Sequence, residues 1–228
     1  MAKKHLKTAS ASPRRQFLRA AGLLPSLALL NFGLLPSVAH AGGQLEEPLS
    51  DSVRTALSLA VQASSTPPVP IFLDEKSQQA YQNWLAEMSA RLGKRRSFMG
   101  QQEREELLQT VWYEAKRAGL DVSLVLGLIT VESNFRKYAI SRVGARGFMQ
   151  IMPFWSRVIG DGDPSHFFHM QTNLRFGCVI LRHYLDREKG DAYMALGRYN
   201  GSRGQPQYPT AVFGAQRSWA FHENIAAL

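Results

Sequence analysis

The chain is poor in cysteine: Cys178 stands alone among 228 residues. No intramolecular disulfide can form, so an oxidising compartment is tolerated but not exploited. Acidic residues are missing from the start of the chain, and none precedes Glu46. Long uninterrupted apolar runs are also missing. The most apolar stretch, from about Ala20 to Leu35, is short for a membrane span and is broken by Pro25 and Asn31. There is no convincing β-hairpin pattern and no internal repeat, which argues against β-rich and solenoid architectures.

What is present is an ordinary globular composition, 45% hydrophobic and 20% charged. The net charge of +9 is concentrated at one end. Lys3, Lys4, Lys7, Arg14, Arg15 and Arg19 carry six of those charges, which leaves a mildly basic body of +3. That is no nucleic-acid footprint, so no nucleic-acid partner is expected. A weakly basic body does suit an anionic polymer such as a cell wall.

Residues 1–41 read as an export signal. A basic region containing S-P-R-R-Q-F-L-R, Ser12–Arg19, precedes the apolar run, and Ala39-His40-Ala41 supplies a small-x-small cleavage pattern. Arg14-Arg15 followed by Phe17-Leu18 resembles a bacterial twin-arginine signal. Cleavage near Ala41 and a periplasmic destination are therefore expected. An ordinary secretory signal and an uncleaved anchor are the other readings. No cysteine stands just after the signal to carry a lipid.

Residues 42–100 read as an N-terminal extension. It comprises a short amphipathic segment, Val53–Val61, a proline-rich linker, Ser64–Pro70, and an amphipathic helix, Asp74–Leu92, ended by Gly93 and a basic turn. From residue 101 onward the periodicity predicts helices at Gln101–Ala118, Val122–Phe135, Phe148–Ile159, Asn173–Glu188, Ala192–Arg198 and Thr210–Ala220. Gly119 stops one helix and Asp121 caps the next. The fold class is mostly α, with its core between about Glu103 and Trp219.

Within Val122–Phe135 the residues are apolar nearly all round, so this helix should be central. Glu132 lies near its end. From the residues alone two readings stand: a Glu on a polar stripe at the surface, or a buried carboxylate. Burial and the negative end of the helix dipole both favour the neutral acid, which suits a proton donor. No Asp or Glu lies near it in sequence.

Four separated motifs then appear in order. They are Glu132-Ser133, G-A-x-G-F-M-Q-I-M-P at Gly144–Pro153, N-L-x-x-G at Asn173–Gly177, and Y-N-G at Tyr199–Gly201. Together they resemble the lytic transglycosylases with a lysozyme-like catalytic domain, over about Gln101 to Trp219. The resemblance implies a lysozyme-like helical catalytic domain at 101–228 that cleaves the β-1,4 bond between N-acetylmuramic acid and N-acetylglucosamine. The products would be 1,6-anhydromuramoyl ends.

The resemblance also assigns residue roles. It makes Glu132 the sole acid and base, and it assigns sugar contacts to Ser133, Ser141, Met149, Gln150, Tyr199 and Asn200. Ser141 would position an N-acetyl group, and Tyr199 would hydrogen-bond Glu132. The chain departs from the usual pattern at Arg146, Phe148, Arg198 and Gly201-Ser202. Peptidoglycan strands are the expected partner, with cell-envelope machinery open and a monomer expected.

A lysozyme-type hydrolase is the alternative, with Asp161 or Asp163 as its second carboxylate. A non-catalytic wall-binding or assembly protein is another. No cofactor and no metal are expected. His166 and His169 lack a third ligand, and Asp161–Pro164 reads as a turn rather than a calcium loop. Cys178 reads as an inert core residue, and Phe154, Trp155, Phe167 and Phe168 as core with some capacity for sugar stacking.

Overall fold

The computed structural model describes residues 43–62 and 70–221. The expectations for the export signal and for the linker at 64–69 lie outside the described residues. Among the described residues there are eight α-helices, one 3-10 helix and no strand beyond isolated bridges of Arg146 with Ile140 and Ile151. The predominantly helical fold expected from the sequence is the one observed.

Local chemistry starts each helix. Helix α1, Asp51–Val61, begins where the Ser50 side chain accepts from the Val53 N–H. Helix α2, Glu75–Arg95, is capped by Asp74, whose Oδ1 accepts from the Ser77 N–H at 2.6 Å. Gly93 does not end α2 as expected. It lies inside the helix, against the Arg104 guanidinium of α3, Gln101–Arg117. Close packing of α2 on α3 favours a residue without a side chain there.

Helix α4, Val122–Glu132, is the central helix. Asp121 caps it, accepting from the Leu124 N–H at 2.9 Å. Leu124 to Ile129 are all buried, and α4 lies along α8, Gln207–Arg217. Gly127 permits this approach. A Cβ there would stand 2.7 Å from Gln216 N and 2.9 Å from Val212 O. A mid-helix glycine costs up to about 1 kcal/mol in propensity, and the close contact offsets it. This crossing fixes the end of α4, where Glu132 sits.

Two predicted helices are shorter than expected. Helix α4 stops at Glu132 rather than Phe135, because Asn134 and Phe135 take positive φ of 48° and 59°. Phe135 is thereby driven into the core against Trp219, with ring centroids 5.2 Å apart. Helix α5 spans only Phe154–Ile159; residues 148–153 form a loop in which Gln150 has φ 49°. The remaining elements are the 3-10 helix Pro164–Phe168, α6 (Met170–Arg187) and α7 (Ala192–Asn200).

The extension packs on the rest: α1 touches α5 and α6, and α2 touches α3. Helices α3 and α6 are joined by a buried ion cluster. Glu114 accepts from Arg175 at 2.9 Å and from Arg117 at 3.2 Å, and also from Gln171. Cys178 is buried among these helices, and burial pushes its thiol up, so it is chemically quiet. No helix of the described residues is long and apolar enough to cross a membrane.

Candidate active site

Glu132 is 5% exposed, at the C-terminal end of an apolar helix. Burial pushes its carboxyl up to about 8, against a hydrogen bond that lowers it, donated by Tyr208. The Tyr208 hydroxyl meets Oε1, whereas Oε2 is buried without a partner. A proton on Oε1 would compete with the Tyr208 donor, so the acid carries its proton on Oε2. The result is a neutral acid at pH 7 whose O–H has no protein acceptor.

Tyr208, from α8, was not singled out in the sequence. It follows Gln205-Pro206-Gln207, a turn-like stretch that gave no periodic or motif signal. The only available signal was a polar-tipped aromatic at the start of the helix that packs on α4. Tyr208 is itself buried, and its hydroxyl is pushed well above the ordinary value by burial first, then by Glu132.

Tyr199 occupies a different place from the expected one. Its hydroxyl donates to the Met149 carbonyl at 2.8 Å, not to Glu132. Glu132 still acts on it: burial first, and then the Glu132 charge, push Tyr199 upward. The physical reason is the loop at 144–150, which brings a backbone carbonyl onto Tyr199 while α8 supplies the carboxylate's donor.

That loop is built by the second and third motifs together. Asn173, fully buried, accepts from the Met149 N–H at 2.8 Å and donates to Arg146 O at 2.9 Å and Phe167 O at 2.8 Å. Gly147, at φ +76°, leaves room for it; a Cβ there would lie 2.3 Å from Asn173 Nδ2. One turn further along α6, a Cβ on Gly177 would strike Met149 Sδ at 2.2 Å. The N-x-x-x-G spacing thus places both residues on the helix face that receives the loop.

The other candidates shape the same loop. Ser133 is buried and donates to Phe148 O at 2.7 Å, tying the residue after Glu132 to the loop. Ser141 Oγ accepts from Val143 N and Ala145 N at 3.3 and 3.1 Å. Gln150 is buried, and its amide donates to Gly147 O at 3.0 Å and Ala139 O at 3.2 Å. Met149 is fully buried. Asn200 donates to Ser202 Oγ at 2.9 Å, and its Oδ1 is a buried acceptor without a partner.

Asp161 and Asp163 lie elsewhere in role. Both are exposed, and His166 sits 2.6 Å from Asp161 and 3.7 Å from Asp163. Asp161 also accepts from the Asp163 N–H, the geometry of a turn. Glu132 responds to burial and to Tyr208, and no second carboxylate acts on it among the described residues. Among these residues no group of three or more His, Cys, Asp or Glu converges as metal ligands. Phe154, Trp155 and Phe167 are core, while Phe168 is half-exposed beneath the Arg146 guanidinium.

Replacing Tyr208 by Phe removes the donor that lowers the Glu132 pKa. The alkaline limb of any activity that needs the protonated acid should then move above its position near pH 8. A pH profile of kcat/KM checks this, and an unmoved limb would detach Tyr208 from the acid.

Fold and site thus define a helical domain with the Glu132 carboxylic acid buried at the end of its central helix. Residues 109–220 match the family model described as Transglycosylase SLT domain. A transglycosylase of Enterobacteria phage PRD1 is 32% identical over 100 residues, 44% of this chain and 36% of the relative. A membrane-bound lytic murein transglycosylase C of Haemophilus ducreyi is 32% identical over 123 residues, 47% of this chain and 33% of the relative. The chain thus spans about a third of the length of these curated relatives. An inactive mutant of the lytic transglycosylase Slt from Pseudomonas aeruginosa is 20% identical, with a TM-score of 0.42 over 78% of this chain and 37% of that one.

Proposed function

We propose that the protein is a lytic transglycosylase of peptidoglycan, exported to the periplasm, with Glu132 as its only acid and base. The observation that carries this is the Glu132 carboxyl: neutral at pH 7, held on one oxygen by Tyr208 and free of protein partners on the other. The match of residues 109–220 to the SLT family model and the relatives' names support the substrate class.

The chemistry follows from those two oxygens. Glu132 Oε2–H protonates the glycosidic oxygen as the bond to C1 of the muramoyl unit breaks, and the leaving sugar departs as its 4-hydroxyl. The carboxylate then takes the proton of the muramoyl 6-hydroxyl as that oxygen bonds C1. Water is neither consumed nor released, and Glu132 ends protonated as it began. Ring closure replaces the water that a second carboxylate would activate in an inverting hydrolase. In this reading Ser133, Ser141, Met149, Gln150, Tyr199 and Asn200 shape the surface on which the sugar lies.

Mass analysis of digested peptidoglycan tests the proposal. The expected products are 1,6-anhydro ends, lighter by one water than reducing ends, formed equally well in the presence of a chelator. Mainly reducing ends would favour the hydrolase instead. Binding to the wall without any cleavage would favour an assembly or binding protein.

A further inference from the structure

Between α2 and α3 the chain turns at residues 96–100, ahead of the stretch that matches the family model. The Met99 N–H donates to Arg96 O at 2.9 Å and closes this turn. Met99 is buried as a result, while Phe98 points outward and stays 74% exposed. The segment 135–140 faces the turn, and the two walls enclose a cleft of about 450 Å³. Pockets of about 300–1,000 Å³ take small ligands.

Buried Met99 and Phe135 make the inner lining apolar. The rim is aromatic and basic. The Arg96 guanidinium lies 4.2 Å from the Phe98 ring centroid, and Lys137 Nζ lies 5.5 Å from that of Tyr138, whose ring is also exposed. Arg136 donates through Nε to Ser133 O at 3.0 Å. Among the described residues none of these three cations pairs with a carboxylate, and Glu103 is the one acid in the lining. Exposed rings mark a surface that something covers. Unneutralised cations around them select a partner with several negative charges, and Glu103 adds a place for one ammonium.

The position of the cleft says which partner. Its wall at 135–140 begins just beyond Glu132, and Arg136 is tied back to the residue after that acid. At the far end Ile140 pairs with Arg146, where the loop that shapes the site begins. A peptidoglycan strand on that loop brings the required chemistry with it. Each muramoyl unit carries a short peptide on its lactyl group, with free carboxylates and, at a diamino residue, an amino group. An anionic membrane fits less well, because the rings border a concavity and Glu103 would face the lipid charge.

We propose that this cleft binds the acidic peptide stems of peptidoglycan and makes stem-bearing strands the preferred substrate. The proposal rests on the glycan-cleavage reading. It also assigns a role to residues 96–99 of the N-terminal extension.

The test compares intact strands with strands stripped of peptide by an amidase, which keep only a lactyl carboxylate beside the sugar ring. On intact strands the parent should show a kcat/KM about tenfold higher, the worth of a few exposed charge contacts. Arg96→Gln combined with Lys137→Gln should abolish that advantage through KM. Cleavage of stripped strands by the double variant should stay at the parent level, which also shows that it folds. Binding gives a second readout. The stem peptide released by the amidase should shift the Tyr138 ring resonances of the Glu132→Gln chain, and added salt should reverse the shift. The two further substitutions in that chain should abolish it.

Equal kcat/KM of the parent on both strands would overturn the proposal. So would a double variant that keeps the preference, or one that loses equally on both strands. Binding to phosphatidylglycerol vesicles without binding of the stem peptide would replace the peptide by a membrane. If the parent cleaves neither kind of strand, the glycan-cleavage reading fails, and binding of the stem peptide alone then decides the role of the cleft.

Discussion

Glu132→Gln should fold and lose glycan cleavage by roughly 10²–10⁴ in kcat, the contribution of a positioned general acid. Gln keeps the acceptor for Tyr208 and cannot deliver a proton from the other end. Stability should change in the opposite sense. The folded state holds the Glu132 proton up to a pKa of about 8, whereas the unfolded chain releases it near the ordinary value of 4.5. Between those values the folded state binds more protons, so the parent loses stability as pH rises through that window. The variant has no such term. It should match the parent near pH 4 and exceed it by roughly 3 kcal/mol at pH 7. Denaturant titrations of both proteins at pH 4, 6 and 8 measure this. A gap that does not widen with pH would mean that Glu132 is ionised and solvated in the folded protein. An active variant would remove Glu132 from the mechanism.

Asn173→Ala should cost about 3–5 kcal/mol, the sum of several buried groups left without partners. The Met149 N–H, the Arg146 carbonyl and the Phe167 carbonyl would all lose the same side chain. The loss should reach the site as well. The Met149 carbonyl receives the Tyr199 hydroxyl, so a loosened loop releases Tyr199 next to Glu132. Cleavage by the folded fraction should therefore fall, although Asn173 touches no substrate in the proposed reading. Thermal melting and single-turnover cleavage below the melting transition separate the two effects. A variant that melts like the parent would show that water replaces Asn173 in the loop.

Some of this was legible in the residues. Asp74 and Asp121 announce helix starts because a short acidic side chain reaches its own backbone whatever lies beyond. The continuous apolar run ending in Glu132 places that acid at the end of a buried helix, since an apolar surface on all sides has to be covered. The motif spacings pointed to one loop, because Asn173 and Gly177 stand one helical turn apart and face it together. Other features were invisible for a common reason. Helix α5 begins late because Gln150 takes φ 49° and Ile151 pairs with Arg146, in a loop held by Asn173, 24 residues from Met149, and no local pattern records such a bond.

Glu132 itself marks the division. The sequence placed a carboxylate near the end of an apolar helix, because periodicity and composition are local properties of the chain. Only the tertiary structure decided which hydroxyl holds it. Gly127 lets α8 approach α4 closely enough for Tyr208, 76 residues further on, to reach Oε1, while Tyr199 is turned to Met149. It also brought Gln44, 111 residues before Trp155, against that indole. Partners so distant in the chain meet only when packing closes the loops between them, and hydrogen-bond direction then selects among side chains that sequence motifs cannot rank.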